Sequence, residues 1–342
     1  MPENTLKEKT AKGLMWGTIS NGAQLVLGTL FGIFLARILS PSDYGMVGLL
    51  TVFSQIASVL QDSGFRTALA NRREIVHEDY NAVFWFNVGT SCVMYLLLFF
   101  LAPLITEFYQ HSDAAANQDL SELTPLARFS FLGFVIASLG TAHYAYLFRT
   151  LQVKQKAIIT VISLTTSSTI GLTMALKGYA YWGLATQGIA FTTCNTILFW
   201  YFSKWRPTLP VSFHPLKEMF GFSSKLLAND ICNNINGNIL SVMLGRFYAV
   251  HDVGLYNQAN KWTSMVSTMV LGTIKDVAQP VLRNVETERE RHKRVFRKML
   301  RFNAFMVFPA LFGLALISRE LILITVTEKW LDCVPLLSLI HI

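Results

Sequence analysis

The 342-residue chain is 52% hydrophobic but only 15% charged, with 25 phenylalanines and a formal net charge of +8. A soluble domain carries about 25% charged residues, so the composition excludes an ordinary soluble enzyme or nucleic-acid binder. The apolar residues fall in blocks of about 20 or more, the length that crosses about 30 Å of hydrocarbon at about 1.5 Å per residue; an all-α, multi-span integral membrane protein is predicted.

Nine spans and the start of a tenth follow in chain order: residues 14–36, 43–65, 80–106, 124–148, 157–176, 179–202, 218–245, 253–280 and 299–325, then a segment from Leu331. The first span keeps Asn21 and Gln24 inside its apolar run and has no small-residue cleavage site after it, so it reads as a retained span rather than a signal peptide. The connections alternate in charge. Those on the N-terminal side hold twenty Lys and Arg, eight of them from Arg283 to Arg301, and those on the other side hold five. The positive-inside rule therefore places the N-terminus in the cytoplasm. The basic stretch from Arg283 to Arg301 either fixes topology and touches anionic headgroups or gathers a negatively charged lipid. Every loop is short, which leaves no room for a soluble catalytic domain. There is no phosphate-cradling glycine loop, nucleotide-binding motif or Ser/His/Asp set. Cys92, Cys194, Cys232 and Cys333 form no C-x-x-C or Cys/His cluster, so neither a metal site nor a disulfide frame is indicated, and no cofactor is expected.

One short pattern occurs twice. Leu35-Ala36-Arg37, followed by Asp43 and Gly45, returns 209 positions later as Leu244-Gly245-Arg246, followed by Asp252 and Gly254. At the same offset Asn21 falls on Asp230, Gln24 on Asn233 and Gly28 on Gly237. Six spans separate the copies, so both run the same way across the bilayer. Parallel repeats of this kind predict a transporter of two similar halves with its path between them. The repeated Arg and Asp are expected to pin the turn into the next helix.

The seventh span is the least lipid-like. Lys225, Asn229, Asn233 and Asn236 share one face, Asp230, Asn234 and Asn238 lie beside them, and Ile231, Ile235 and Ile239 form the back. A polar group unsatisfied in lipid costs several kcal/mol, so this helix should face protein or a water-filled cavity. Span eight repeats the pattern with Asn257, Lys261, Ser264, Thr268 and Lys275. Span one has Asn21 and Gln24, together with Gly28 and Gly32, a G-x-x-x-G that suggests close helix packing. Lys225 and Lys275 are near enough to the cytoplasmic end to snorkel. Asp230 and Lys261 are deeper, where ionisable groups are functional candidates; they either pair with each other or meet a cargo or coupling ion. His143 is expected to make a satisfied polar contact, and Arg128 and Asp62 lie near span ends. The candidate binding or coupling residues are therefore Lys261, Asp230, Lys225, Asn229, Asn233, Asn21, Gln24 and Lys275. A cavity lined by lysine and amides suits an anionic, hydroxyl-rich cargo. Trp85, Tyr144, Tyr146, Trp182 and Trp262 are available to stack on sugar faces or to sit in the interfacial belt.

The string from Phe34 to Gly45 (F-L-A-R-I-L-S-P-S-D-Y-G) resembles the first loop of bacterial Wzx-type polysaccharide flippases. So do D-S-G-F (Asp62 to Phe65) with the Arg-rich loop after it, Pro280 in Q-P-V-L, the run from Leu244 to Tyr256, and E-K-W (Glu328 to Trp330). The resemblance covers residues 5–336 and is nearest to the colanic-acid-exporter-like branch of the multidrug/oligosaccharidyl-lipid/polysaccharide (MATE-like) exporter superfamily. It implies two six-helix lobes around a central cavity, here residues 1–206 and an incomplete 207–342. It implies alternating access and no enzymatic activity. The implied cargo is an oligosaccharide on undecaprenyl diphosphate, moved from the cytoplasmic to the periplasmic leaflet of the bacterial inner membrane during lipopolysaccharide or exopolysaccharide biosynthesis. Implied partners are membrane lipids, a polysaccharide polymerase and export proteins, with no nucleic acid. A cation-coupled multidrug exporter of the same superfamily and a membrane polysaccharide polymerase or ligase are the alternatives. The ending Leu337–Ile342 matches one reading frame of a sequencing-library transposon adapter, so the second lobe is expected to be cut short.

Overall fold

The computed structural model describes residues 3–339 apart from 63, 66–67, 70–74, 111–118, 151, 210 and 266–288. Among these the regular structure is helical: α1 (Glu3–Ile38), α2 (Pro41–Asp62), α3 (His77–Gln110), α4 (Leu123–Arg149), α5 (Val153–Leu176), α6 (Ala180–Phe202), α7 (His214–Phe247), α8 (250–265), α9 (Arg289–Leu316), α10 (Ser318–Thr325), a 3₁₀ turn (Glu328–Cys333) and α11 (Val334–Leu339). Among the described residues six helices are long and apolar enough to cross a membrane: α1 from Met15, α2, α3, α4, α5, and α9 from Glu290. α6 and α7 are as long, but Gln187, Asn195 and the asparagine stripe dilute their apolar character.

Local chemistry sets the helix starts. Pro41 fixes φ at the first position of α2 and lacks the N–H that would be unpaired there. The carboxylate of Asp43 folds back to accept from the Ser40 amide at 2.8 Å and the Ser40 hydroxyl at 2.7 Å, while the Asp43 amide donates to that hydroxyl at 3.3 Å. This is the reciprocal arrangement of a capping box. Asp79 accepts from the Val76 amide at 3.0 Å at the start of α3, and Asp252 from the Ala249 amide at 3.2 Å at the start of α8. Between α5 and α6 the chain turns at Gly178, whose φ of 83° lies in the left-handed region that glycine tolerates.

The described spans largely follow the apolar blocks; the eighth, 253–280, lies outside the described residues from 266 on, Thr268 and Pro280 included, and the ninth differs. The predicted ninth span, 299–325, is two helices broken at Ile317. Ile317 leaves helical ψ, at 5°, and the Ser318 hydroxyl takes the Ala315 carbonyl at 2.8 Å, so a new helix begins.

α2 runs antiparallel to α7, with Leu49 at Gly245 and Gln55 at Asn238, and its Gln61 meets Thr141 of α4. The end bearing the C-termini of α1, α3 and α7 is called the repeat end, and the opposite one the basic end. α5 packs on α6 and on α1, and α4 packs on α3 and α6. α7 lies along α2 and touches α3. Val93, Leu96, Leu97, Phe100, Leu104 and Phe108 recur at three- and four-residue steps on α3 and remain exposed, Phe100 at 72%. Phe305, Phe308, Phe312 and Leu316 do the same on α9. Such apolar stripes left uncovered by protein are the faces a bilayer would cover. At the basic end Tyr80, Phe84 and Trp205 are buried together with Ala142, Leu216 and Met219.

Candidate functional site

The two copies of the repeat meet in space. A methyl group on Gly45 would collide with the Val250 carbonyl oxygen, and one on Gly254 with the Pro41 carbonyl oxygen. Val250 and Pro41 are themselves related by the 209-residue offset, so exchanging the two copies exchanges the two contacts. One turn further on, Gly48 and Asn257, also related by the offset, face each other. Gly245 is held against Leu49 and Tyr109; a methyl there would come within 2.7 Å of Tyr109 Cε1. Only glycine allows α2 and the start of α8 to approach this closely.

The repeated arginines tie the same end. A helix leaves its last four carbonyls without partners and carries a partial negative charge there. Arg37 donates from Nε to the Thr325 carbonyl at 2.7 Å and from Nη2 to that of Ile324, at the end of α10. Arg246 donates from Nη1 to the Phe108 carbonyl near the end of α3 and stands 5.2 Å over the Phe108 ring. The α1 terminus is served in turn by the 3₁₀ turn. Lys329 Nζ donates to the Arg37 carbonyl at 2.7 Å and Trp330 Nε1 to the Ala36 carbonyl at 2.8 Å. Trp330 is fully buried, its ring edge-on to Tyr44 at 5.2 Å. Burial lowers the pKa of the Lys329 amine, and Asp43 pulls it back up. Two strings that carried the family resemblance, F-L-A-R and E-K-W, are thus in direct contact.

Toward the basic end a cavity of about 490 Å³ opens between α2, α4, α6 and α7. Its polar lining is Ser58, Gln61 and Asp62 of α2, Thr141 and Tyr144 of α4, Thr192, Asn195 and Thr196 of α6, and Asp230 and Asn234 of α7. Among the described residues no lysine or arginine lines it. The expected lysine-lined cavity is therefore an acid-, amide- and hydroxyl-lined one. Asp230 Oδ1 accepts from Asn229 Nδ2 at 3.3 Å. Asn238 donates to Gln55 Oε1 of α2 at 2.7 Å. Lys225, Asn229, Asn233 and Asn236 stay exposed on α7.

Lys261 stands apart from Asp230. Among the described residues no ion pair within 4.0 Å joins them. The amine of Lys261 instead occupies the space over Gly32 of α1, 2.7 Å from where a Cβ would be, while Gly28 meets nothing within 4 Å. The G-x-x-x-G is thus no helix-packing motif among the described residues; its second glycine makes room for a lysine. Asn21 and Gln24 lie in another cavity, of about 290 Å³, between α1, α4 and α5, with Ser20, Tyr144, Lys156 and Thr160. Gln24 Nε2 is occupied by the Ser20 carbonyl and hydroxyl at 3.2 and 3.1 Å. Lys275 lies outside the described residues.

The aromatic candidates separate. Tyr144 lines both cavities. Trp85 donates to the Thr208 carbonyl at 3.3 Å, Tyr146 packs on Tyr80, Trp182 on Phe129, and Trp262 against the cluster around Trp330. His143 is not the satisfied polar contact expected. It is fully buried among Phe84, Trp200 and Trp205, and among the described residues neither ring nitrogen has a hydrogen-bond partner. Arg128 donates to the Phe99 carbonyl at 3.2 Å. Residues missed in the sequence are Gln61, Thr141, Thr192, Asn195, Thr196 and Lys156. Asn195 and Thr196, three and four residues after Thr192, form with it a polar stripe within α6, which was the available signal.

Residues 34–335 match the family described as "Polysaccharide biosynthesis protein". The chain is 29% identical to the lipopolysaccharide biosynthesis protein WzxC of Escherichia coli (strain K12), over 98% of this chain and 67% of that protein. It is 24% identical to the teichuronic acid biosynthesis protein TuaB of Bacillus subtilis (strain 168), over 99% and 68%. It is 25% identical to the succinoglycan biosynthesis transport protein ExoT of Rhizobium meliloti (strain 1021), over 98% and 66%. The chain thus spans about two thirds of the length of these curated relatives. Among solved structures, the lipid II flippase MurJ in an inward closed conformation aligns with a TM-score of 0.72 at 14% identity, over 95% of this chain and 71% of that one. A multidrug resistance MATE family transporter of the MOP superfamily, inward-facing, aligns at 0.69 and 17%, over 92% and 76%. The fold is that of these membrane transporters, and the chain belongs to the polysaccharide biosynthesis protein family.

Proposed function

We propose that this protein moves a lipid-linked oligosaccharide from the cytoplasmic to the periplasmic face of the bacterial inner membrane, as a transporter and not an enzyme. The observation that carries this reading is the accessible polar face of α7, with Asp230 and Asn234 on a cavity of about 490 Å³ whose hydroxyls and amides match sugar hydroxyls. The names of its relatives, in polysaccharide biosynthesis and transport, support the cargo class. The basic connections put the N-terminus in the cytoplasm, which makes the basic end cytoplasmic and the repeat end periplasmic. Residues 1–206 and those from 207 onward act as two lobes, and rocking at the Gly45–Gly254 contact switches access. Lys261 and Asp230 are the principal binding or coupling groups, with Lys225, Asn229, Asn233, Asn21, Gln24 and Lys275 as further members.

In a strain lacking its own flippase, the gene as it stands at its genomic locus should restore surface polysaccharide. Asp230→Ala or Lys261→Ala should each abolish it while membrane insertion, followed by immunoblot, is unchanged. Normal polysaccharide with both changes would discard the site assignment. The acid-lined cavity, free of basic lining among the described residues, favours one second reading, a cation-coupled drug exporter. Raised resistance to cationic drugs without polysaccharide rescue would select it.

A further inference from the structure

The two cavities share a wall, Tyr144, and divide the charge between them. Among the described residues the larger is lined by Asp62 and Asp230 with no basic residue, the smaller by Lys156 with no acidic one. Lys156 lies in the first turn of α5. Its amine donates to the Tyr144 hydroxyl at 2.9 Å and rests 4.1 and 4.8 Å from the Tyr144 and Phe148 ring centres. Among the described residues no carboxylate lies within 4.0 Å of it. An ammonium has three donors; Tyr144 takes one and leaves two for a ligand. The positive end of the α5 dipole adds to the attraction for an anion. Asn21, Ser20 and Thr160 supply further hydrogen-bonding groups around the same space.

We propose that the smaller cavity seats a phosphate group of the lipid-linked cargo on Lys156, while the larger holds the hydroxyl-rich sugar beyond Tyr144. The assignment rests on the transport reading above and gives the cargo a direction. A phosphate placed in the larger cavity would face the Asp230 carboxylate, whereas in the smaller it meets a cation with no carboxylate within 4.0 Å among the described residues. Sugar hydroxyls, being neutral, are suited to the acid- and amide-lined side, where carboxylates accept from them strongly.

The test uses farnesyl diphosphate as probe, titrated calorimetrically into the protein expressed from its genomic reading frame and purified in detergent. Lys156→Gln should weaken binding about ten-fold or more, equivalent to about 1.4 kcal/mol. Lys156→Arg should keep binding within about three-fold, since a guanidinium also pairs with phosphate. Asp230→Asn should bind at least as tightly as the parent. Farnesol should not bind. Equal binding by Lys156→Gln and the parent, or by farnesol and the diphosphate, overturns the proposal. So does displacement by phosphatidylglycerol at equal concentration, which would make this a general headgroup seat. Binding of inorganic pyrophosphate as tight as that of farnesyl diphosphate would likewise make it a free-anion site. Export separates this from the broader reading. If Asp230→Ala stops export while Lys156→Gln binds and exports normally, the subsite alone falls. If the gene restores no polysaccharide yet Lys156→Gln loses the probe, the transport reading falls and the anion site stands.

Discussion

Valine at Gly254 is expected to abolish export. The added carbon would strike the Pro41 carbonyl, a backbone atom that cannot rotate away, so α2 and α8 must separate. Overpacking in a well-filled interior costs about 1–3 kcal/mol, and about 2 kcal/mol is enough to change a conformational equilibrium some 30-fold. Gly45→Val meets the Val250 carbonyl from the other side and should behave alike. Gly28→Ala and Gly237→Ala, members of the same repeat with open space around them, should be tolerated and should favour the helix by about 1 kcal/mol each. The direct readout is a cysteine at Val250, which is 6% exposed. It should resist a membrane-impermeant maleimide in the parent and label readily in Gly254→Val. Protection unchanged in Gly254→Val would show that the contact does not hold the end shut.

Alanine at both Arg37 and Arg246 should open the same end. Each arginine satisfies terminal carbonyls of a helix distant in sequence, Arg37 at α10 and Arg246 at α3. Hydrogen bonds to a charged group contribute about 1.5–3 kcal/mol. Each single change is expected to lower export about ten-fold, a factor that corresponds to about 1.4 kcal/mol, and the double change to eliminate it. Arg37→Lys should recover little, because a lysine cannot present the fork that grips two adjacent carbonyls. Labelling of the Val250 cysteine should rise in step. Full export by the double variant would assign the arginines to folding alone, or to nothing measurable.

The sequence pattern carried the helices and the capping of two turns by Asp43 and Asp252, because periodicity and capping are local; the arginines expected at those turns reach α10 and α3 instead. Asp43 and Asp252 do what the repeat suggested, each accepting from the amide three residues earlier. The close approach of Gly45 to Val250 and of Gly254 to Pro41 left no trace beyond the repeat itself, since a missing Cβ is silent until a neighbour fills its place. The placement of individual side chains decided the rest. Asp230 and Lys261 sit at comparable depth on adjacent spans, yet one faces a cavity and the other lies over Gly32. Lys156 read as one of several topology-setting charges, and only the position of Tyr144 turns it inward. His143 shows the limit of residue type as a guide, since aromatic rings rather than hydrogen bonds enclose it.

The most direct measurement is movement of the cargo itself. The protein from its genomic reading frame, reconstituted in liposomes containing a fluorescent polyprenyl-diphosphate oligosaccharide, should raise the fraction reached by an impermeant quencher well above that of protein-free liposomes. Gly254→Val and Asp230→Ala should return that fraction to the protein-free level. Equal quenching with and without the parent protein, under conditions where it is folded and inserted, would contradict the account.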